Sequence, residues 1–292
     1  MIGTEKPDVV SVATPNRYHK PVTIAALRAG CHVLCEKPMA LNAAEAREMV
    51  AVASQADKRL MINYSWRFTD ASWALKARVA EGALGEIYFG RTVWHRRRGI
   101  PASAKAPGGA KALQGGGPMV DLGVHRLDLA LWFMGFPQAE WVMGATYNPI
   151  GKAMAEREGW VFDVEDMAAA FVRFRNGATL AVEAFWAANI AERELMETRI
   201  LGTKGGLIQR NADEGYARFD GEIYTERNGA QFDEKLHLPL HPPAPKSMHH
   251  FADCIADDRP HVATAEQGLA AMEILDAMYE SAATGAPVRV GQ

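Results

Sequence analysis

Asp8-Val-Val-Ser-Val-Ala-Thr14, His32-Val-Leu-Cys35 and Leu60-Met-Ile-Asn63 are three short apolar runs whose spacing decides the fold. Each is the length of a buried strand, and the first two are cut off by Pro15-Asn16 and Glu36-Lys37-Pro38. Between the first two, Lys20 to Ala29 sets Val22, Ile24, Ala25 and Leu27 at helical spacing, and Gly30 stands where a helix ends. Between the second and third, Ala43, Ala46, Met49, Val50 and Ala53 recur with the same period. Asn42 precedes them as N-cap and Glu45 follows three residues on, as in a capping box. Strand, helix, strand, helix, strand with such short connections implies right-handed crossovers and a parallel sheet, so the chain opens as doubly wound α/β.

After Phe68 the pattern changes. A helix over Ala71–Glu81 leads to an alternating strand over Glu86–Trp94, and Asp121–Met134 reads as a further helix. Strands follow over Met167–Phe174, Thr179–Trp186 and Glu197–Leu201, with Asn176-Gly177 as a hairpin turn between the first two. Ala265–Ala283 is a long amphipathic helix ended near Gly285. The fold class expected is therefore α/β plus α+β. Residues 1–68 form part of a parallel α/β domain, and residues 69–292 form an α+β domain with an open, mainly antiparallel sheet.

Composition narrows the function. With 292 residues, 48% hydrophobic, 23% charged and a net charge of -3, the chain is an ordinary globular protein without a global field for nucleic acid or an anionic membrane. No apolar run is long enough to span a bilayer. Cys31, Cys35 and Cys254 have neither zinc spacing nor an even count for disulfides, which favours a reducing compartment and a cytoplasmic location.

In an open parallel sheet, ligands bind beyond the carboxyl ends of the strands, where Thr14-Pro15-Asn16 and Glu36-Lys37-Pro38 both fall. Taken alone, Thr14-Pro15-Asn16 also fits an ordinary strand-ending turn, and Lys37 a solvated surface lysine. Asp121 and His125 stand four apart, one face of a helix, a spacing that suits acid/base work as well as a cap beside a core histidine. Asp128 reads as structural. Asp121, His125 and Asp128 lack further clustered ligands, so no metal is expected. Arg96, Arg97 and Arg98 form a local basic cluster, suited to an acidic sugar or to a solvated strand end. Lys105–Lys111, rich in Gly, Ala and Pro, reads as a flexible loop.

Taken in order, Ala13-Thr-Pro-Asn-x-x-His19, Glu36-Lys37-Pro38 and Gly115-Gly-Gly-Pro-x-x-Asp121-x-Gly-x-His125-x-x-Asp128 resemble the successive motifs of the Gfo/Idh/MocA oxidoreductases. The likeness continues through Asn176-Gly177, Leu201-Gly-Thr-Lys-Gly205 and the closing helix, over essentially the whole chain. It implies an NAD- or NADP-dependent enzyme that moves hydride between nicotinamide and a hydroxyl or keto carbon of a sugar or polyol. Lys37, Asp121 and His125 are implied as catalytic. Thr14, Pro15, Asn16, His19, Glu36 and Lys37 are implied at the cofactor, and Lys37, Arg98, Asp121 and His125 at the substrate. The second domain's sheet is implied to join copies of the chain into a homo-oligomer, with neither nucleic acid nor membrane as partner.

A dinucleotide fold opens on a strand and a Gly-x-Gly-x-x-Gly turn. The sequence holds no such turn in strand-to-helix context, and its first strand resembles the family's fourth. On the order of 60 residues, about two βαβ units, would precede Met1, and the chain by itself is expected to hold the dinucleotide weakly. Two alternatives accompany this reading: a shortened homologue serving as a redox-inactive binding or oligomerisation module, and an NAD-dependent glycoside hydrolase.

Overall fold

The computed structural model describes residues 2–105 and 110–291. The first part runs α1 (Ile2–Glu5), β1 (Val9–Val12), α2 (His19–Arg28), β2 (His32–Glu36), α3 (Ala43–Gln55) and β3 (Leu60–Asn63). Its strands pair in parallel in the order β1-β2-β3, with Val9 opposite His32 and Val33 opposite Leu60. The local signals act as their chemistry dictates. Gly30 adopts φ +87° just past α2. The Asn42 side chain accepts the Glu45 N–H at 2.9 Å, while Glu45 reaches back to the Leu41 N–H at 3.2 Å. One expectation changes: β1 is not buried on both faces. Val10 and Val12 face the core while Val9 and Ser11 are exposed, because among the described residues β1 is the edge of its sheet and α2 covers one side.

The second part runs α4 (Asp70–Ala80), β4 (Ile87–Arg96), α5 (Ala110–Gln114), α6 (Val124–Met134), β5 (Ala139–Tyr147), α7 (Pro149–Glu158) and β6 (Met167–Phe174). It continues through β7 (Thr179–Phe185), β8 (Glu194–Gly202), β9 (Gly205–Asn211), β10 (Phe219–Arg227) and β11 (Ala230–Lys235). It ends with α8 (Ser247–Ala256), α9 (Ala265–Thr284) and β12 (Val288–Arg289). Nine strands form one sheet in the order β11-β10-β9-β8-β4-β7-β6-β5-β12, antiparallel except where β4 and β7 run parallel. Helices α4, α6 and α9 pack on one face, burying Val142, Val172, Leu180, Val182, Met196 and Ile200. The other face carries Arg91, Glu183 and Arg199 beside Met143, Tyr147 and Phe171, whose relative exposures are 39, 51 and 39%. It is an open, mainly antiparallel sheet.

Helix α9 returns to the first part. Thr264 bridges Met61, the Ile62 N–H donates to the Ala263 carbonyl at 3.0 Å, and Asp276 accepts the Ala43 N–H at 2.8 Å, at the start of α3. A Cβ on Gly268 would lie 2.8 Å from Ile62 and 3.0 Å from the Met39 sulfur, so the close approach of α9 requires glycine there. Among the described residues no helix is long and apolar enough to cross a membrane. The loop expected over residues 105–111 lies partly outside the described residues; at its flanks, Ala102–Lys105 form a 3-10 turn and α5 starts at Ala110.

Candidate active site

Two loops at the carboxyl edge of the parallel sheet form one rim. His19 joins them: its Nε2 contacts the Thr14 carbonyl at 2.8 Å and its Nδ1 the Pro38 carbonyl at 2.7 Å. The ring is 1% exposed and braces the two loops that carry the expected cofactor residues. Asn16 reaches across to the Gln114 carbonyl at 2.9 Å, and Glu36 accepts from the Asn63 amide at 2.6 Å. A cavity of about 260 Å³ opens between these loops and the second domain, against Pro15, Asn16, Lys37, Gln114 and Asp121.

Lys37 carries the charge on this cavity. Its Nζ donates to the Asp121 main-chain carbonyl at 2.7 Å and to Asp121 Oδ1 at 3.2 Å. The other carboxylate oxygen, Oδ2, accepts the Trp186 indole N–H at 3.0 Å, and Trp186 is fully buried at the end of β7. Both oxygens of Asp121 are thereby engaged, and none of the hydrogen bonds joins Asp121 to His125. The helix expected from Asp121 begins instead with a π-turn over Met119–Gly123, and only from Val124 is it α-helical. The wider i→i+5 winding turns Asp121 off the row of His125, so the four-residue spacing does not produce the contact it would give in an α-helix.

His125 packs edge-on to Trp66 and tilted against Trp94, with ring centroids 5.9 and 5.8 Å away, and its Nδ1 is buried without a partner. Burial, followed by the charges of Lys37 and Arg126, holds the imidazole well below its ordinary pKa. His125 is therefore held in its neutral form at pH 7. Asp128 is structural, as its position suggested: Arg67 grips it through Nε at 2.8 Å and Nη2 at 2.5 Å.

The arginine cluster divides. Arg98, expected at the substrate, donates to the carbonyls of Arg97 and Ala188 at 2.6 and 2.9 Å and to Asn189 Oδ1 at 2.8 Å, which ties it to the loop after β7 and away from the cavity lining. Arg96 turns instead toward the tryptophan beside His125. Its guanidinium lies 5.4 Å from the Trp94 ring, on the aromatic wall around His125, and bonds Glu194 at 2.9 Å and the Tyr216 hydroxyl at 2.7 Å. Glu194 also accepts the Trp94 indole N–H. Trp66, Trp94 and Trp186 were not singled out in the sequence because nothing local distinguishes a site tryptophan from a core one. A larger cavity of about 520 Å³ lies behind the Gly115–Gly116 turn against Glu165, Asp276 and Tyr279. The smaller cavity is the candidate site because it alone of the two contains Lys37 and Asp121.

Comparison with known proteins identifies the family. Residues 1–64 match the Gfo/Idh/MocA profile described as "Oxidoreductase family, NAD-binding Rossmann fold", and residues 76–290 match "Oxidoreductase family, C-terminal alpha/beta domain". D-glucoside 3-dehydrogenase of Escherichia coli (strain K12) is 35% identical over 99% of this chain and 81% of the relative. 1,5-Anhydro-D-fructose reductase of Ensifer adhaerens is 31% identical over 98% of this chain and 80% of the relative. Among solved structures, aldose-aldose oxidoreductase from Caulobacter crescentus complexed with glycerol superposes with a TM-score of 0.79 at 27% identity, over 99% of this chain and 81% of that one.

Proposed function

The chain belongs to the Gfo/Idh/MocA oxidoreductase family, a family of NAD(P)-dependent enzymes, and from that premise we propose that it oxidises a hydroxyl of a neutral sugar or polyol, or reduces the matching keto group. The observation that carries this reading is the Lys37–Asp121 pair at the carboxyl edge of β2, facing a cavity of about 260 Å³. When bound, the nicotinamide supplies the carbon that accepts or returns the hydride. The residues fit its nicotinamide–ribose end: Thr14 Oγ1 after β1 and Asn63 Oδ1 at the end of β3 are buried without partners, and Pro15, Asn16 and Lys37 line the space. NAD and NADP both remain compatible with these groups.

The division of labour follows from charge and burial. The Lys37 ammonium donates to the substrate oxygen and stabilises the alkoxide character that develops as hydride leaves its carbon. Asp121, engaged by both Lys37 and Trp186, holds that ammonium in place. His125, whose Nδ1 has no partner, is assigned as the acceptor of the hydroxyl proton, and it is a weak base because burial and the charges of Lys37 and Arg126 oppose its imidazolium. Trp66, which flanks His125, offers its ring to the apolar side of a sugar, while Trp94 is buried and backs the imidazole. The charge of Arg96 is answered by Glu194, which favours a neutral sugar over an acidic one. The names of the relatives, a glucoside dehydrogenase and an anhydrofructose reductase, point the same way.

The boundary between cofactor and substrate domains is assigned near Phe68, with α9 spanning both, and the open face of the nine-stranded sheet is assigned to contact with a second copy. The test is reduction of NAD⁺ and NADP⁺ by the chain with methyl glucosides, free aldoses and myo-inositol, set against glucuronate, with the keto product identified by mass. Turnover confined to the acidic sugar would overturn the substrate class, and a keto-free hydrolysis product would overturn the reaction.

A further inference from the structure

Asp121 sits in a π-turn, a conformation that something outside the turn has to hold. The turn is entered through Gly115-Gly116-Gly117-Pro118, and two groups from elsewhere in the chain close on that entry. Glu165, before β6, accepts the Gly117 N–H on Oε2 at 3.0 Å and the Met119 N–H on Oε1 at 3.3 Å. Tyr279, on α9, donates its hydroxyl to the same Oε1 at 2.7 Å. There is no slack: a Cβ on Gly116 would lie 2.2 Å from the Tyr279 hydroxyl, and one on Gly117 would lie 2.2 Å from the Glu165 carbonyl. Glu165 is 7% exposed, and burial raises its pKa against these three donors.

The next residue holds the other side of Asp121. The Asp166 carbonyl accepts the Trp186 main-chain N–H at 2.9 Å, and the Trp186 indole is what occupies Asp121 Oδ2. One dipeptide, Glu165-Asp166, thus fixes both the backbone that carries Asp121 and the tryptophan that orients its carboxylate. We propose that Glu165, with Tyr279, is the positioning residue of the active centre. Neither touches the 260 Å³ cavity, yet together they set the geometry in which Asp121 meets Lys37.

This inference rests on the sugar oxidoreductase reading for its kinetic test, so a second readout independent of turnover accompanies it. In the kinetic arm, Glu165→Gln removes the charge and one acceptor while keeping the shape. It is expected to lower kcat by at least about tenfold, the effect of one good hydrogen bond to a charged group, with the KM for the dinucleotide within about threefold of the parent. In an Asp121→Asn background the same change is expected to add little, because the two act as one unit. In the second arm, the ¹H–¹⁵N signal of the Trp186 indole, assigned with Trp186→Phe, shifts in Asp121→Asn and is expected to shift in Glu165→Gln as well. Tyr279→Phe, which removes only one bond to the carboxylate, is expected to move the same signal in the same direction by less, and it serves alone if Glu165→Gln does not fold. Multiplicative losses of kcat in the double variant, or an indole signal unmoved in the folded variants, would overturn the positioning role. An inactive parent with an indole that still responds would overturn the sugar oxidoreductase reading and leave the positioning role standing.

Discussion

Arg67 and Asp128 form a bidentate ion pair, at 2.5 and 2.8 Å, with both side chains within 1% of complete burial. Arg67 lies between β3 and α4 and Asp128 on α6, one turn below His125, so the pair joins the end of the first domain to the helix that presents the site. Three aromatic rings, Tyr64, Trp132 and Phe136, surround the guanidinium at 5.0 to 5.6 Å. Asp128→Ala leaves that cation buried and unpaired, which costs about 3 to 5 kcal/mol. Urea unfolding of the variant is expected to show a loss of that size, and a change under about 1 kcal/mol would mean that water reaches Arg67.

Replacement of Lys37 by Met removes the ammonium while keeping the length of the side chain. Turnover is expected to fall by about 10²-fold or more, the effect of losing one preorganised electrostatic stabiliser. Because Lys37 is one of the charges that depress His125, the imidazole of the variant is expected to titrate at higher pH than in the parent, a change that imidazole NMR reads directly. Near-normal turnover would remove Lys37 from the chemistry.

The neutral state of His125 makes a prediction about acid. Its folded pKa is lowered by burial first and by Lys37 and Arg126 after that, while the unfolded value stays near about 6.5. Below that pH the unfolded chain binds a proton that the folded chain refuses. The contribution of His125 to stability is therefore complete above about pH 6.5 and is lost as pH falls through the folded value. The acid limb of kcat/KM for alcohol oxidation is expected below pH 6.5 for the same reason. A limb above neutrality that disappears in His125→Gln would show that the imidazole is charged in the free enzyme.

On the open sheet, Phe171 and Met143 stand in register on neighbouring strands, each 39% exposed, with Trp141 beside them. Contact between two copies through this face predicts a dimer or larger assembly at micromolar concentration by light scattering, and Phe171→Glu is expected to shift it toward monomer without loss of the folded signal. A parent that is monomeric and well folded would defeat this assignment.

The parallel part of the fold was readable because its signals are local. The Asn42–Glu45 box, Gly30 and the Leu60–Asn63 run each carry their information within a few residues. Strands β5, β9, β10 and β11 were not assigned from sequence. Their patterns mix polar and apolar residues, as edge and one-sided strands do, and β9 opens on Gly205-Gly206. At the candidate site, motif order singled out Lys37, Asp121 and His125, and the structure brings Lys37 and Asp121 together. The relation of Asp121 to His125 could not be read from spacing, because spacing presumes an α-helix and the chain winds a π-turn there. The roles of Trp186 and Glu165 depend on contacts 65 and 48 residues away in sequence, and no local pattern encodes those.

Helix α9 packs on β5 of the large sheet and on α3 of the small one. In chain order it comes last, but in space it is a shared wall. The polypeptide leaves the first domain after β3 and comes back to it at Thr264, so the substrate domain hangs in a closed loop of chain and not from a single tether. A body tethered once can swing about several axes; one anchored at two places is restricted to rocking about the line between them. The face between α3 and α9 is the second of those two anchors, and the chain between β3 and α4 is the first.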